Sequence, residues 1–106
     1  AGRQVVGKKI LILGIMKSKD ARAIVAEVAP ITDFWILVGI DRNRGWSPQK
    51  LEQIVMEVKP TPSVKIFKSV IESIDWLEKR LSRGDEVLIM GSFLLVAEAR
   101  KHAIFV

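Results

Sequence analysis

The sequence predicts an α/β fold in which a mainly parallel sheet is flanked by helices. Strand-like and helix-like patterns alternate four times along the chain. The strand-like runs are short and almost entirely apolar, which is typical of strands covered on both faces. The stretches between them suit right-handed helical crossovers, which join parallel neighbours. We therefore expect the 106 residues to form a single domain.

The first two strand–helix units have well-defined starts. Residues 9–15 and 34–38 are continuous apolar runs that indicate buried strands. Asp20 can begin the helix after the first strand. The helix after the second strand begins at Ser47-Pro48, where a hydroxyl can cap the helix and a proline needs no N–H.

The third unit is more polar. Residues 64–67 alternate apolar and polar side chains, so we expect this strand nearer an edge of the sheet. Ser69 and Glu72 form a capping-box pattern at the start of the next helix. Gly84 is predicted to close that helix as its C-terminal cap.

The chain closes with a strand at 87–90, the pair Gly91-Ser92 and a helix predicted over about 93–103. A glycine at the end of a parallel strand lets a ligand approach the backbone. A serine at a helix start can cap the helix or face an anion. These elements complete a three-layer Rossmann-like domain, and ligands bind such sheets at this edge.

Composition narrows the class of protein. The net charge of +5 favours attraction to an anion such as a nucleic acid, a nucleotide or an acidic metabolite, although an ordinary basic surface is the simpler interpretation. The absence of cysteine excludes disulfides and thiolate chemistry, so a cytoplasmic location is the simplest expectation. No apolar run approaches the roughly 18–20 residues of a membrane span.

Each predicted strand ends in a polar loop, and parallel topology brings these loops to one edge. The loops are residues 16–20, 39–45, 68–69 and 91–92. Together they hold lysines, arginines and several helix N-termini, a set that suits a phosphate or a carboxylate. The alternative is that loops are polar in any protein and that Asp20 only caps a helix.

Several common sites are absent from the sequence. There is no glycine-rich phosphate loop ending in Lys-Ser/Thr, and no Gly-x-Gly-x-x-Gly follows the first strand. A single His102 forms neither a metal cluster nor a Ser/His/Asp triad at the loop edge. Among the tryptophans, Trp46 beside Gly45 is the candidate for an exposed ring.

Three segments follow one another with a recognisable order and spacing. They are Gly-Ile-Met-Lys-Ser-Lys-Asp at 14–20, Asp-Arg-Asn-Arg-Gly-Trp-Ser-Pro at 41–48 and Gly-Ser-Phe-Leu-Leu-Val-Ala-Glu at 91–98. Jointly they resemble the first loop, the middle loop and the Gly-Ser signature of the folylpolyglutamate synthase/dihydrofolate synthase family. Residues 1–106 thus look like most of the Mur-ligase-type C-terminal domain of a longer ligase.

The resemblance implies an ATP-dependent ligase that adds glutamate to folate or dihydropteroate through an acyl phosphate. In that family the C-terminal domain closes over the ATP site and helps to hold the incoming glutamate. Lys19 and Asp20 match the first loop, Arg44 matches the middle-loop arginine, and Ser92 matches the signature serine. These four are the implied substrate- or nucleotide-binding residues, and the resemblance transfers no catalytic residue and no metal ligand.

The resemblance also implies partners. ATP and Mg²⁺ would belong to the full-length enzyme and would not be bound by this domain alone. The partners would be an N-terminal ATPase domain of the parent chain and the small molecules glutamate and folate, with no nucleic acid and no membrane. The phosphate loop is absent here, so we expect these residues alone to be inactive. A stand-alone module for a nucleotide or acidic metabolite, and a basic nucleic-acid module, remain as alternatives.

Overall fold

The computed structural model describes residues 7–40 and 43–91, and in it a parallel sheet lies between two layers of helix. The four strands are β1 (Lys9–Gly14), β2 (Phe34–Val38), β3 (Val64–Phe67) and β4 (Glu86–Gly91). The helices are α1 (Ala21–Val28), α2 (Pro48–Val58) and α3 (Val70–Glu78), and a single 3₁₀ turn, Ala29–Ile31, follows α1. This architecture confirms the predicted three-layer α/β class. The helix predicted at 93–103 lies outside the described residues.

The sheet has the strand order β3-β2-β1-β4, with every neighbouring pair parallel. The chain first moves outward from β1 to β2 and β3, and then returns to place β4 on the other side of β1. Because crossovers are right-handed, α1 and α2 lie on one face and α3 lies on the other. The carboxyl ends of β1 and β4 therefore form the topological switch point, where open α/β sheets bind ligands.

The core consists of two clusters, one on each face of the sheet. Ile10 and Ile12 of β1 pack towards α3, whereas Leu11 and Leu13 pack towards α1 and α2. The short strand β3 is half-buried at the edge, as its alternating sequence predicts. The helical partners in the two clusters include Val25, Val28, Leu51, Ile54 and Val55 on one face and Val70, Ile74 and Leu77 on the other.

The first two helices begin where the sequence predicts. The Asp20 carboxylate accepts a hydrogen bond from the Ala23 backbone N–H at 3.1 Å. The Ser47 hydroxyl accepts one from the Lys50 N–H at 3.1 Å, and Pro48 occupies the first helical position. Each cap satisfies a backbone donor that the helix itself leaves unpaired.

The capping box at α3 forms with one change. The Ser69 hydroxyl accepts from the Glu72 N–H at 3.2 Å, as expected. In return, the Glu72 carboxylate accepts from the N–H of Lys68, one residue before the cap, at 3.2 Å. The contact fixes the backbone of Lys68 directly after β3.

Gly84 does not cap α3, so that prediction is wrong. The helix ends at Glu78, and the N–H groups of Arg80 and Leu81 both close onto the Leu77 carbonyl. Gly84 lies further on, with a φ of 95°, in the turn that leads into β4. A non-glycine residue rarely adopts this conformation. The sequence thus indicated correctly that the chain needs a glycine here, but not which turn needs it.

Asp85 ties this turn to the start of β1. Its carboxylate accepts from the Ser82 N–H at 2.8 Å and from the Lys8 N–H at 2.9 Å. These two backbone donors, Ser82 foremost, hold the pKa of Asp85 below its usual value, and the nearby charge of Lys8 acts in the same direction. The ionised carboxylate therefore stabilises the β1–β4 pairing at its amino end.

We expect Asp85→Asn to lower the free energy of unfolding at neutral pH by about 1 kcal/mol, because the amide offers one acceptor oxygen in place of two. The folded-state pKa of Asp85 lies below its unfolded value. Its stabilisation is therefore present above the unfolded-state pKa and is lost as the pH falls through the folded-state value. Urea denaturation at pH 7 and at several acidic pH values should show a smaller acid loss in the variant.

Glu86→Gln is the matched control, because Glu86 is the next residue and its side chain is exposed. This control should keep the wild-type acid dependence. An acid dependence that is the same in Asp85→Asn and in the wild type would contradict the role assigned to Asp85.

Two substitutions of Asp20 distinguish its role as a helix cap from the role of its charge. We expect Asp20→Ala to cost about 1 kcal/mol of unfolding free energy, whereas Asp20→Asn keeps the cap and costs only a few tenths. Urea denaturation of the two variants measures the difference. Equal stability of Asp20→Ala and the wild type would show that the cap contributes nothing.

Candidate functional site

Two loops at the carboxyl edge of the sheet are joined by backbone hydrogen bonds. The Lys17 N–H donates to the Arg44 carbonyl at 2.7 Å, and the Trp46 N–H donates to the Ile15 carbonyl at 2.8 Å. Met16 and Gly45 form an antiparallel bridge between them. We call this structure the loop ridge, and it consists of residues 15–17 and 44–46. The ridge brings together segments that are about 30 residues apart in the sequence.

Trp46 fastens the ridge to the core. Its ring is half-buried and packs against the apolar cluster on the α1/α2 face. Its ring N–H donates to the Lys19 carbonyl at 3.3 Å. The expectation of an exposed Trp46 is therefore wrong, because the indole packs against the core and bonds to the backbone of the first loop.

One cavity lies at the switch point, between the carboxyl ends of β1 and β4. It has a volume of about 230 Å³ and mostly apolar walls, with Lys19 and Glu27 as its charged lining residues. Gly91, at the end of β4, borders it. We call it the switch-point cavity, and its lining also includes Leu13, Ile15, Met16, Ile24 and Met90.

A second and larger opening has a different lining. It has a volume of about 640 Å³ and is bordered by the first turn of α2, the start of the loop after β2 and the end of β3. Lys17, Lys50 and Lys68 line it, and none of its described lining residues carries a carboxylate. We call it the basic cleft, and its other lining residues are Gly39, Ile40, Gly45, Trp46, Ser47, Pro48 and Gln49.

The sequence-predicted site residues fall at different places on this edge. Lys19 borders the switch-point cavity, and Asp20 caps α1 through its carboxylate. Arg44 is exposed, and its backbone carbonyl forms part of the loop ridge. Ser92 lies outside the described residues, directly after Gly91. The structure thus brings the loops of Lys19 and Arg44 together through the ridge.

Sequence reasoning placed Lys17 and Lys68 at the polar edge without assigning them a site, and it missed Lys50. A signal for Lys50 exists, because it lies in the first turn of a helix that starts at the same edge. In a parallel sheet, the first turns of the following helices meet the strand ends. Counting those turns together with the loops would have found it.

The described part of the chain offers no ready metal site. Within residues 7–40 and 43–91, no group of three or more His, Cys, Asp or Glu side chains could hold a metal ion. His102 lies outside these ranges. Among the described helices, none is long and apolar enough to cross a membrane.

Comparison with known proteins gives consistent matches. Residues 1–93 match the family described as Mur ligase, glutamate ligase domain. The chain is 32% identical over 96 residues to the dihydrofolate synthase/folylpolyglutamate synthase of Haemophilus influenzae, an alignment that covers 91% of this chain and 22% of that protein. The chain therefore spans about a fifth of the length of this relative.

Solved structures share the fold. Escherichia coli FolC in complex with DHPP and ADP superposes with a TM-score of 0.80 at 23% identity, over 93% of this chain and 22% of that chain. The bifunctional folylpolyglutamate synthase/dihydrofolate synthase of Yersinia pestis, complexed with AMPPNP and a Mn ion, gives 0.74 at 24% identity, over 92% and 23%. These likenesses show the fold, and the family match over residues 1–93 shows that this chain belongs to the Mur ligase family, as a glutamate ligase domain.

Proposed function

We propose that this chain is the C-terminal, glutamate-binding domain of an ATP-dependent ligase that adds glutamate to folate or dihydropteroate, and that it is inactive alone. The match of residues 1–93 to a glutamate ligase domain is the observation on which the proposal rests. The name of the Haemophilus influenzae relative supports the choice of acceptor. The small share of that relative covered by this chain supports a role that needs another domain.

The proposed contribution of the chain is to place cationic groups where an acceptor, a nucleotide and glutamate meet. Lys19 borders the switch-point cavity, the position at which α/β sheets bind ligands. Arg44 offers a planar fork that suits a carboxylate or a phosphate. Ser92 would add a hydroxyl beside Gly91. Such groups lower a barrier by positioning reactants and by balancing negative charge.

ATP and Mg²⁺ are assigned to the rest of the enzyme. When bound, ATP supplies the phosphoryl group that activates the acceptor carboxylate. The described residues of this chain contain no group of three or more His, Cys, Asp or Glu side chains that could hold a metal ion. The placement of the metal in the ATPase domain is part of this proposal. In this proposal the chain closes over that domain and excludes water from the reacting groups.

A chimera tests the proposal. This chain would replace the aligned segment of the Haemophilus influenzae relative, and glutamate addition to folate and to dihydropteroate would be measured with ATP present. We expect the chimera to ligate glutamate and the 106-residue chain alone to show no turnover. A chimera that unfolds cooperatively and binds nucleotide, yet ligates no glutamate, would favour the stand-alone binding module instead.

In the active chimera, Arg44→Ala and Ser92→Ala should each lower kcat/KM by about tenfold or more, which corresponds to about 1.4 kcal/mol of lost transition-state binding. Arg44→Lys should recover only part of the loss, because an ammonium group lacks the fork of a guanidinium. Arg83→Ala is the matched control, since Arg83 lies in the turn before β4, at the opposite end of the sheet. Full activity of the Arg44 and Ser92 variants would remove both residues from the site.

A further inference from the structure

The basic cleft is not used by the proposed roles of Lys19, Asp20, Arg44 and Ser92. It lies across the loop ridge from the switch-point cavity. We propose that the basic cleft binds a chain of linked glutamates, the multiply charged tail of an acceptor that already bears several glutamyl units. The choice of ligand rests on the proposed function, whereas the presence of an anion site rests on the cleft itself.

Three separate elements supply the lysines, and each lysine has an anchored backbone. The Lys17 N–H donates to the Arg44 carbonyl at 2.7 Å, within the loop ridge. The Lys50 N–H donates to the cap of α2, and the Lys68 N–H donates to the Glu72 carboxylate. The bases of all three side chains are therefore fixed before a ligand arrives, which reduces the ordering cost of binding.

Among the described residues, none of the three lysines of the basic cleft forms an ion pair, and the nearby Glu72 carboxylate bonds to the backbone of Lys68. The ion pair between Arg22 on α1 and Glu57 on α2 lies outside the lining of the cleft and involves none of the three lysines. Three like charges around one opening repel each other, and their field attracts an anion. This repulsion destabilises the free protein. An anionic ligand would reduce the repulsion, and this favours its binding.

The size of the basic cleft favours an extended ligand. Its volume of about 640 Å³ falls in the range of roughly 300–1,000 Å³ that accommodates drug-sized molecules. At its base, a Cβ added to Gly39 would lie 3.2 Å from the Lys68 carbonyl, so the two backbones approach closely. A single glutamate offers too few carboxylates for three ammonium groups, whereas linked glutamates repeat a carboxylate along the chain.

The type of cation also matters. Each of the three groups is a lysine, a compact charge on a flexible stem. Such groups can follow carboxylates whose spacing varies, and they do not impose the bidentate geometry of a guanidinium fork. This property suits a tail whose length changes as glutamates are added.

Titration of the full 106-residue chain with γ-linked triglutamate tests the inference. Amide NMR spectra would report both the folded state and the site of binding. We expect triglutamate to bind at least about tenfold more tightly than free glutamate, with the largest shifts at Lys17, Lys50, Lys68 and Gly39. Affinity should fall as salt is raised, because the contacts are between exposed charges.

Lys50→Gln and Lys68→Gln should each raise the Kd for triglutamate by about three- to tenfold, because each removes one charge but keeps the apolar stem. Neither variant should lower the Tm, since the removed charges repel each other in the free protein. Lys79→Gln, an exposed lysine at the end of α3, should leave the Kd unchanged.

Three outcomes of the titrations would overturn the inference. Triglutamate that binds no more tightly than glutamate, or equally in Lys50→Gln, Lys68→Gln and the wild type, would exclude a glutamyl-tail site. Inorganic triphosphate that binds more tightly than triglutamate at the same amides would assign the cleft to phosphates. The chimera assay tests the proposed function separately from this inference. An inactive chimera together with triglutamate binding would refute the ligase role alone. An active chimera without triglutamate binding would refute this inference alone.

Discussion

The arrangement of the molecule depends on the pairing of β1 on both of its edges. β1 bonds to β2 on one side and to β4 on the other, and its apolar side chains fill both cores. Its isoleucines, Ile10 and Ile12, pack on one face of the sheet. Its leucines, Leu11 and Leu13, pack on the other. A strand held in this way has a fixed carboxyl end, so the loop that follows it starts from a defined point. The loop ridge and both openings at the edge derive their positions from that constraint.

In the loop ridge, backbone hydrogen bonds hold the two loops together, and the charged side chains extend from this framework. Its peptide groups bond to one another across two loops, and Trp46 closes the arrangement against the core. The charged ends of Lys17 and Arg44 are therefore not needed to hold the loops in place. A site built in this way can change its ligand contacts without losing its shape, which agrees with the general role of loops on rigid α/β scaffolds.

Local sequence signals predicted much of the fold, because apolar runs and caps act over a few residues. The three helix starts at Asp20, Ser47 and Ser69 followed from side chains that bond their own backbone. The end of α3 did not, since the Leu77 carbonyl and the Asp85 carboxylate organise the segment between α3 and β4, which contains Gly84. The basic cleft was the hardest part to predict: Lys17, Lys50 and Lys68 meet only because three crossovers return to one edge.

The register of β4 on β1, in which Lys9 lies opposite Glu86, has a consequence for the order of folding. These partners are far apart in the chain, and closing so long a loop is slow compared with forming the neighbouring β1–α1–β2 unit. On the ribosome, β1 would present an unpaired apolar edge until β4 has been synthesised. An exposed edge of this kind is prone to pairing with other chains. The switch-point cavity is thus completed last, and its assembly marks the end of the period in which the nascent protein is open to misassociation.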